Sequence, residues 1–379
     1  MNKVIYFTNA VDQKYFKEDY LRFWIVSPNL SNQNFHNKLI KALSVNFKVD
    51  IVSVRPINAN YKDKMLFAEI HNIGNTCWRY PKVTKNKLSK LLLLNHRIKN
   101  VFEVEEKESV IFVDALNLSL LKAAKRFAKK YHNRIIGICT DNPLNISFTN
   151  AYYNKQLIKL GQSLDGYVVL TDAINKFYNV HNKPFIKIDG VSEEFSTEKK
   201  PLVTGKYIYF GGSLMHEYGV YNLIEAYKEL NLKDIQLVLC GHHPVNDLFD
   251  AIKDNMNIKY LGPVSYEDNL VLEKNSVLSV NPRPINPKID DYSIPSKTLE
   301  CLAVGALNIT VKNKLLEEHY RDCIIWADSS KVEDLKAAIK KALALSDKER
   351  NVLIELGKQK VMERTSIEHV AQLLHDLII

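Results

Sequence analysis

The feature that most limits how this chain can fold is an alternation of short β-branched runs with amphipathic helical stretches. "VIYFTN" leads into "SNQNFHNKLIKALSVNF", and "VDIVSVRP" follows. "SVIFVDAL" precedes "NLSLLKAAKRFAKKY", "RIIGICTDN" precedes "NAYYNKQLIKLGQSL", and "DGYVVLTD" precedes "AINKFYNVH" before "FIKIDG" closes the series. Such β-α-β repetition calls for parallel strands covered by helices on both faces. A polar break at Ser192–Lys206 interrupts it, and the alternation restarts with "YIYFGGS", "IQLVLCG", "IKYLG", "VLSVNP" and "ALNITV", each followed by a helical pattern. From Val332 onward the periodicity is 3.6 throughout. The expectation is an α/β chain of two Rossmann-like, doubly wound domains, residues 1–195 and 196–360, facing across a cleft at the C-terminal ends of their strands. Residues 361–379 form a last helix able to cross back to the first domain.

With 379 residues, 46% hydrophobic and 25% charged, the composition is that of a folded two-domain protein and excludes a disordered one. The longest apolar run, "LLLL" at Leu91–Leu94, is far too short to span a bilayer. "MNKVIYFTNA" reads as a buried strand rather than a signal peptide. Five scattered cysteines without a CxxC pair argue against a disulfide framework or a zinc site, and for a reducing, cytoplasmic compartment.

Charge is divided unevenly. Residues 1–200 hold 31 Lys+Arg against 18 Asp+Glu, and the remainder holds 21 against 25. The basic excess is concentrated in "RYPKVTKNKLSKLLLLNHRIKN", Arg79–Asn100, which has eight basic residues with His96 included, several leucines and no acid. Such a stretch suits the anionic inner face of a membrane, unless it is simply the solvated side of a buried helix. No nucleic-acid motif accompanies it.

Chemistry concentrates in "DDYSIPSKTLECLAVGALNITV", Asp290–Val311. The upstream "VNPRPINPKID" cannot be helix or central strand, because proline fixes φ and removes a donor. A helix therefore starts near Ser296, with Lys297 and Glu300 at i and i+3 on one face. Helix amides and a lysine suit a phosphate, and a carboxylate one turn deeper suits sugar hydroxyls. The competing reading is a capping arrangement by Ser296 with a surface Lys297–Glu300 ion pair. In "YIYFGGSLMHEYGVYNL" a strand ends in a Gly211-Gly212-Ser213 turn, and Gly219 opens a helix, a second place where backbone approaches phosphate.

Together these elements resemble retaining GT-B glycosyltransferases of the family-4 type (glycosyltransferase group 1), in a capsule- and polysaccharide-like subgroup. "FGGSLMHEYGV" follows the family's strand–Gly–Arg–loop–Lys-Gly-Val element in outline. "YSIPSKTLECLAVGALNIT" matches its Glu-x7-Glu segment at Pro295, Glu300, Ala303 and Gly305, and "KIDGVSEEF" resembles the end of its N-terminal domain. Three positions depart: Tyr292 stands for the first Glu of the pair, Ser213 for the Arg and Tyr218 for the Lys. The resemblance implies a GT-B fold and a hexosyltransferase acting, with retention, on a glycan or lipid-linked acceptor. Its donor is a nucleotide-sugar, UDP-linked in preference to GDP-linked, and it needs no cofactor. Glu300 would bind the ribose, Lys297 with the Gly212–Ser213 backbone the diphosphate, and Arg283, Tyr292 and Ser296 would complete the donor site. Lys297 would also stabilise the leaving group.

In the first domain the loop "SPNLSNQNFHN" resembles the family's N-terminal loop in position, making Asn34 and His36 acceptor candidates. Asp114 and Asp141 end strands where catalytic groups belong, although either could cap the next helix. No Asp-x-Asp motif calls for a metal, and "GHHP" at Gly241–Pro244 reads as a loop. Two other readings share the pattern: a nucleotide-sugar epimerase of GT-B form, and an inactive nucleotide-sugar-binding protein. If the basic stretch docks on lipid, replacing Lys85, Lys87 and Lys90 by Glu weakens co-sedimentation with anionic vesicles, each lysine contributing about 1 kcal/mol. Equal binding to anionic and neutral vesicles, or to neither, would return the stretch to a solvated helix face.

Overall fold

In the computed structural model, residues 3–14, 16, 30–57, 65–86, 94, 96–98, 101, 109–145, 150–242 and 246–379 are described. They form two units, residues 1–191 with 367–379, and residues 192–366.

The first unit holds an eight-stranded sheet. In chain order its strands are β1 (Lys3–Thr8), β2 (Lys48–Ser53), β4 (Glu69–Ile73), β5 (Thr76–Tyr80), β7 (Val110–Asp114), β8 (Arg134–Cys139), β9 (Gly166–Val169) and β10 (Phe185–Lys187). The two-residue strands β3 (Met65–Leu66) and β6 (Val83–Thr84) pair separately. The order is β10-β9-β8-β7-β1-β2-β5-β4. Neighbours are parallel except at one edge, where β4 turns back antiparallel on β5 through a hairpin with Gly74 at φ 55°. That edge corrects the expectation of a purely parallel sheet: "HNIGNTCW" carries a turn rather than a crossover helix. β7 is buried along its whole length, as a central strand covered on both faces must be. Tyr6 and Val4 face α1 (Leu30–Asn46), while Phe7 turns to the other face and meets Phe127 of α2 (Leu118–Tyr131). Asn117 caps α2, accepting from the amides of Ser119 and Leu120. α3 (Ala151–Gly161) and α4 (Asp172–Tyr178) complete the crossovers.

The second unit has six parallel strands, β11 (Lys206–Ser213), β12 (Ile235–His242), β13 (Ile258–Tyr260), β14 (Leu278–Asn281), β15 (Asn308–Val311) and β16 (Ile325–Ala327), in the order β13-β12-β11-β14-β15-β16. Alternate residues of β11 feed two cores. Ile208 and Phe210 pack with α5 (Val220–Leu230), whereas Tyr207 and Tyr209 face Leu272. Leu272 belongs to α7 (Tyr266–Lys274), which follows α6 (Asn246–Ile252). α8 (Ser296–Val304), α9 (Lys314–Tyr320), α10 (Val332–Leu343) and α11 (Asp347–Thr365) follow, α11 opening with a Ser346–Glu349 capping box. The proline-rich segment 282–295 has neither helix nor strand.

The last helix, α12 (Ile367–Ile378), packs in the first unit. Val370, Ala371, Leu374, Leu377 and Ile378 share a core with Leu39 and Leu43 of α1, and Arg134 donates to the carbonyls of Leu377 and Ile378. Among the described residues no helix is long and apolar enough to cross a membrane. Lys87 and Lys90 of the basic stretch lie outside the described residues, as do His243 and Pro244.

Leu374 is fully buried. Leu374→Ala is therefore expected to destabilise the first unit by about 2–5 kcal/mol in denaturant unfolding. A change under about 0.5 kcal/mol would mean that α12 contributes nothing to that core.

Candidate functional site

Sequence placed two phosphate-friendly elements in the second half, and the structure puts them in contact. β11 does not stop at a glycine turn: Gly211, Gly212 and Ser213 are strand residues, registered with Cys240, Gly241 and His242. Their glycines serve close approach. A Cβ on Gly212 would lie 3.0 Å from Lys297 Cε, and one on Gly241 (φ 142°) would lie 1.6 Å from the Gly212 carbonyl oxygen. Lys297 thus lies over the strand and donates from Nζ to the Gly211 carbonyl. The lysine does not pair with Glu300.

Ser296 is the first residue of α8, and Pro295 occupies the cap without any side-chain hydrogen bond. The capping alternative therefore fails: the Pro295 carbonyl takes the Thr298 amide at 3.0 Å, and the Ser296 and Lys297 amides precede the first helical hydrogen bond. Glu300, one turn on, accepts from Tyr266 Oη at 2.6 Å. On the same face of α7 as Tyr266, Glu273 is 3% exposed, and its Oε2 has no hydrogen-bond partner among the described residues. Ser213 Oγ is likewise buried and unpartnered there.

Arg283 approaches Asp290, Nη2 to Oδ1 at 3.6 Å, and Asp290 also accepts from the Asn286 amide at 2.6 Å. Asp290 is thus engaged within its own loop. Tyr292 is half-buried, its backbone amide bonded to Ile289. Gly219 adopts φ 75° at the start of α5, where a Cβ would meet the Pro282 carbonyl oxygen at 2.1 Å, so the β11–α5 loop rests on the residue before Arg283. In that loop His216 stacks on Tyr221 and bonds Asp247 (Nε2 to Oδ2, 2.8 Å), while Tyr221 donates to the same carboxylate at 2.7 Å. The Tyr221 bond, more than His216, holds the Asp247 carboxyl below its ordinary range.

In the first unit the candidates fall differently. Residues 30–46 are helix, so Asn34 and His36 lie on α1 and not in a loop. His36 is buried at 1% exposure, its Nδ1 2.6 Å from Tyr6 Oη and its Nε2 3.6 Å from Asp114 Oδ2, too long for a hydrogen bond. Burial, then the Asp114 charge, raise the Tyr6 phenol, so Tyr6 keeps its proton beside Nδ1. Asp114 caps no helix; it accepts from the Leu116 amide at 2.9 Å while Asn117 caps α2. Asp141 accepts from the Asn142 amide, and α3 is capped by Asn150. Sequence reasoning brought neither His36 to Asp114 nor Glu273 to Glu300. The second had a signal, since Tyr266, Leu270 and Glu273 at i, i+4 and i+7 put a carboxyl on the apolar face of a helix. It also passed over a buried arginine: Arg55 pairs with Glu69 at 3.0 Å and lies over the Tyr80 ring, and Tyr80 Oη donates to Asp12 at 2.9 Å.

Residues 192–360 match the family model described as "Glycosyl transferases group 1". No curated protein matches the chain by sequence. Solved structures match it from end to end. Sucrose-phosphate synthase from Thermosynechococcus elongatus aligns at TM-score 0.69 and 12% identity, covering 100% of this chain and 98% of that one. An E. coli trehalose-6-phosphate protein bound with UDP-2-fluoro glucose aligns at 0.69 and 11%, covering 100% and 99%. The α,α-trehalose 6-phosphate synthase of Burkholderia multivorans aligns at 0.67 and 11%, covering 100% and 98%. The chain has the α/β GT-B fold.

Burial lowers His36 from the ordinary 6.5, with Asp114 opposing in part. A depressed base adds stability above its unfolded value and loses it as pH falls through the folded one. Melting temperature should therefore fall on acidification below about pH 6.5 more steeply in the wild type than in His36→Gln. Parallel curves would show that His36 does not carry the effect.

Proposed function

We propose that the chain is a hexosyl-type glycosyltransferase that moves a sugar, with retention, from a nucleotide-sugar to a cell-surface polysaccharide, glycolipid or other glycan acceptor. The observation that carries this reading is Lys297 laid across the Gly211–Gly212 backbone, with Glu300 one turn below it, inside the segment matching glycosyl transferases group 1. Lys297 offers charge to a diphosphate, the uncapped start of α8 offers amides, and Glu300 offers a carboxylate to ribose hydroxyls. A UDP-sugar is the favoured donor, in keeping with the UDP-2-fluoro glucose bound by the E. coli protein of the same fold.

In the transfer, the bond between the sugar anomeric carbon and the diphosphate oxygen breaks. A bond to the acceptor hydroxyl oxygen forms on the same face, and the hydroxyl proton passes to the departing diphosphate. Charge grows on that diphosphate, so Lys297 acts most strongly at the transition state. Arg283 becomes a second cation once phosphate competes with Asp290. No metal is required in this scheme, and the basic stretch Arg79–Asn100 brings the enzyme to the inner membrane surface, where lipid-linked acceptors lie.

A labelled nucleotide-sugar panel tests the reading: transfer supports it, epimerisation or binding alone overturns it. Glu300→Ala is expected to reduce donor binding or turnover at least tenfold, since a hydrogen bond to a charged group is worth roughly 1.5–3 kcal/mol. Lys297→Ala should depress kcat further than Glu300→Ala. Turnover abolished by a chelator would replace the lysine scheme with a metal.

A further inference from the structure

Among the described residues, Glu273 is the one buried carboxyl of the second unit, and the proposed chemistry leaves it unused. It lies on α7, seven residues from Tyr266 and three from Leu270. Tyr266 reaches Glu300, and Leu270 packs against Cys301, so this face of α7 is the wall behind α8. At 3% exposure, and with Oε2 unpartnered among the described residues, the Glu273 carboxyl sits where a charge is costly. The ionisable groups around it are Tyr209 on β11, Tyr266 on α7, and Lys297, Glu300 and Cys301 on α8.

We propose that Glu273 is a positioning residue of the nucleotide site: a neutral carboxylic acid behind Lys297 and Glu300 whose ionisation weakens nucleoside diphosphate binding. Neutral, it leaves Lys297 and Glu300 as a balanced pair, the lysine for phosphate and the carboxylate for ribose. Ionised, it adds a second negative charge behind Glu300, opposes an incoming diphosphate and draws on Lys297. Burial first, and the Glu300 charge second, push the Glu273 carboxyl well above the ordinary 4.5, while Lys297 pulls the other way. The neutral form is therefore held at low pH and lost as pH rises through the folded value, and diphosphate affinity falls with it. This inference rests on the donor-site reading above.

The test is UDP binding to the full chain by titration calorimetry from pH 5 to 10, for wild type and Glu273→Gln, each first checked by thermal melting. Every other group is common to both proteins, so the comparison isolates Glu273. The ratio of wild-type to variant Kd should be near one at the acidic end and rise tenfold or more at the alkaline end. A ratio that does not change with pH overturns the proposal while leaving the donor site intact. Absence of UDP binding by the wild type at every pH overturns the donor-site reading instead. If Glu273→Gln does not fold, Glu273→Met, neutral and of similar length, takes its place with the same two outcomes.

Discussion

Everything distinctive about the second unit follows from two missing side chains. Gly212 and Gly241 sit side by side on β11 and β12 at the C-terminal end of the sheet; a Cβ on Gly241 would collide with backbone, and one on Gly212 would crowd Lys297. Because they have none, the adjacent strands close up and a long cation settles onto bare backbone, donating to a carbonyl. A lysine held by a carbonyl is only lightly committed. A phosphate is a stronger acceptor than an amide oxygen, so this contact can be exchanged without leaving a buried charge unpaired.

The pattern of strands and helices was legible because the parallel sheets bury β-branched runs on both faces and the intervening helices are amphipathic. What periodicity could not reach was the edge of the first sheet. β4 has no buried residue and β5 buries only Trp78 and Tyr80, so the turn at Gly74 sets their pairing more than burial does. The Gly-Gly element was located correctly in the chain but assigned to a turn. Glycine signals either a turn or close approach, and here the second holds.

The candidate site was legible where chemistry is local and illegible where it is long-range. Ser296, Lys297 and Glu300 fall within one helical turn, so spacing alone displays them. The partners that define their state, Gly211, Tyr266 and Glu273, lie between 24 and 86 positions away in the chain. The same holds in the first unit, where His36 and Asp114 were each singled out but meet only through the pairing of β1 with β7. Burial also changes their meaning, since a histidine at 1% exposure acts on its neighbours and not on solvent.

The path of the chain carries one more consequence, for the order of assembly. The first unit is interrupted: its core lacks α12 until residues 367–378 arrive, after the whole of the second unit has been laid down. Joining the two pieces across residues 192–366 as a flexible loop would cost about 4–5 kcal/mol of closure entropy by the logarithmic rule. The second unit removes most of that cost when it folds, because its two ends are tied together: the Ser192 amide donates to the Thr365 carbonyl at 2.7 Å, and Ser192 bridges Ser366. The second unit is thereby also the clasp that delivers the last helix to the first unit's core.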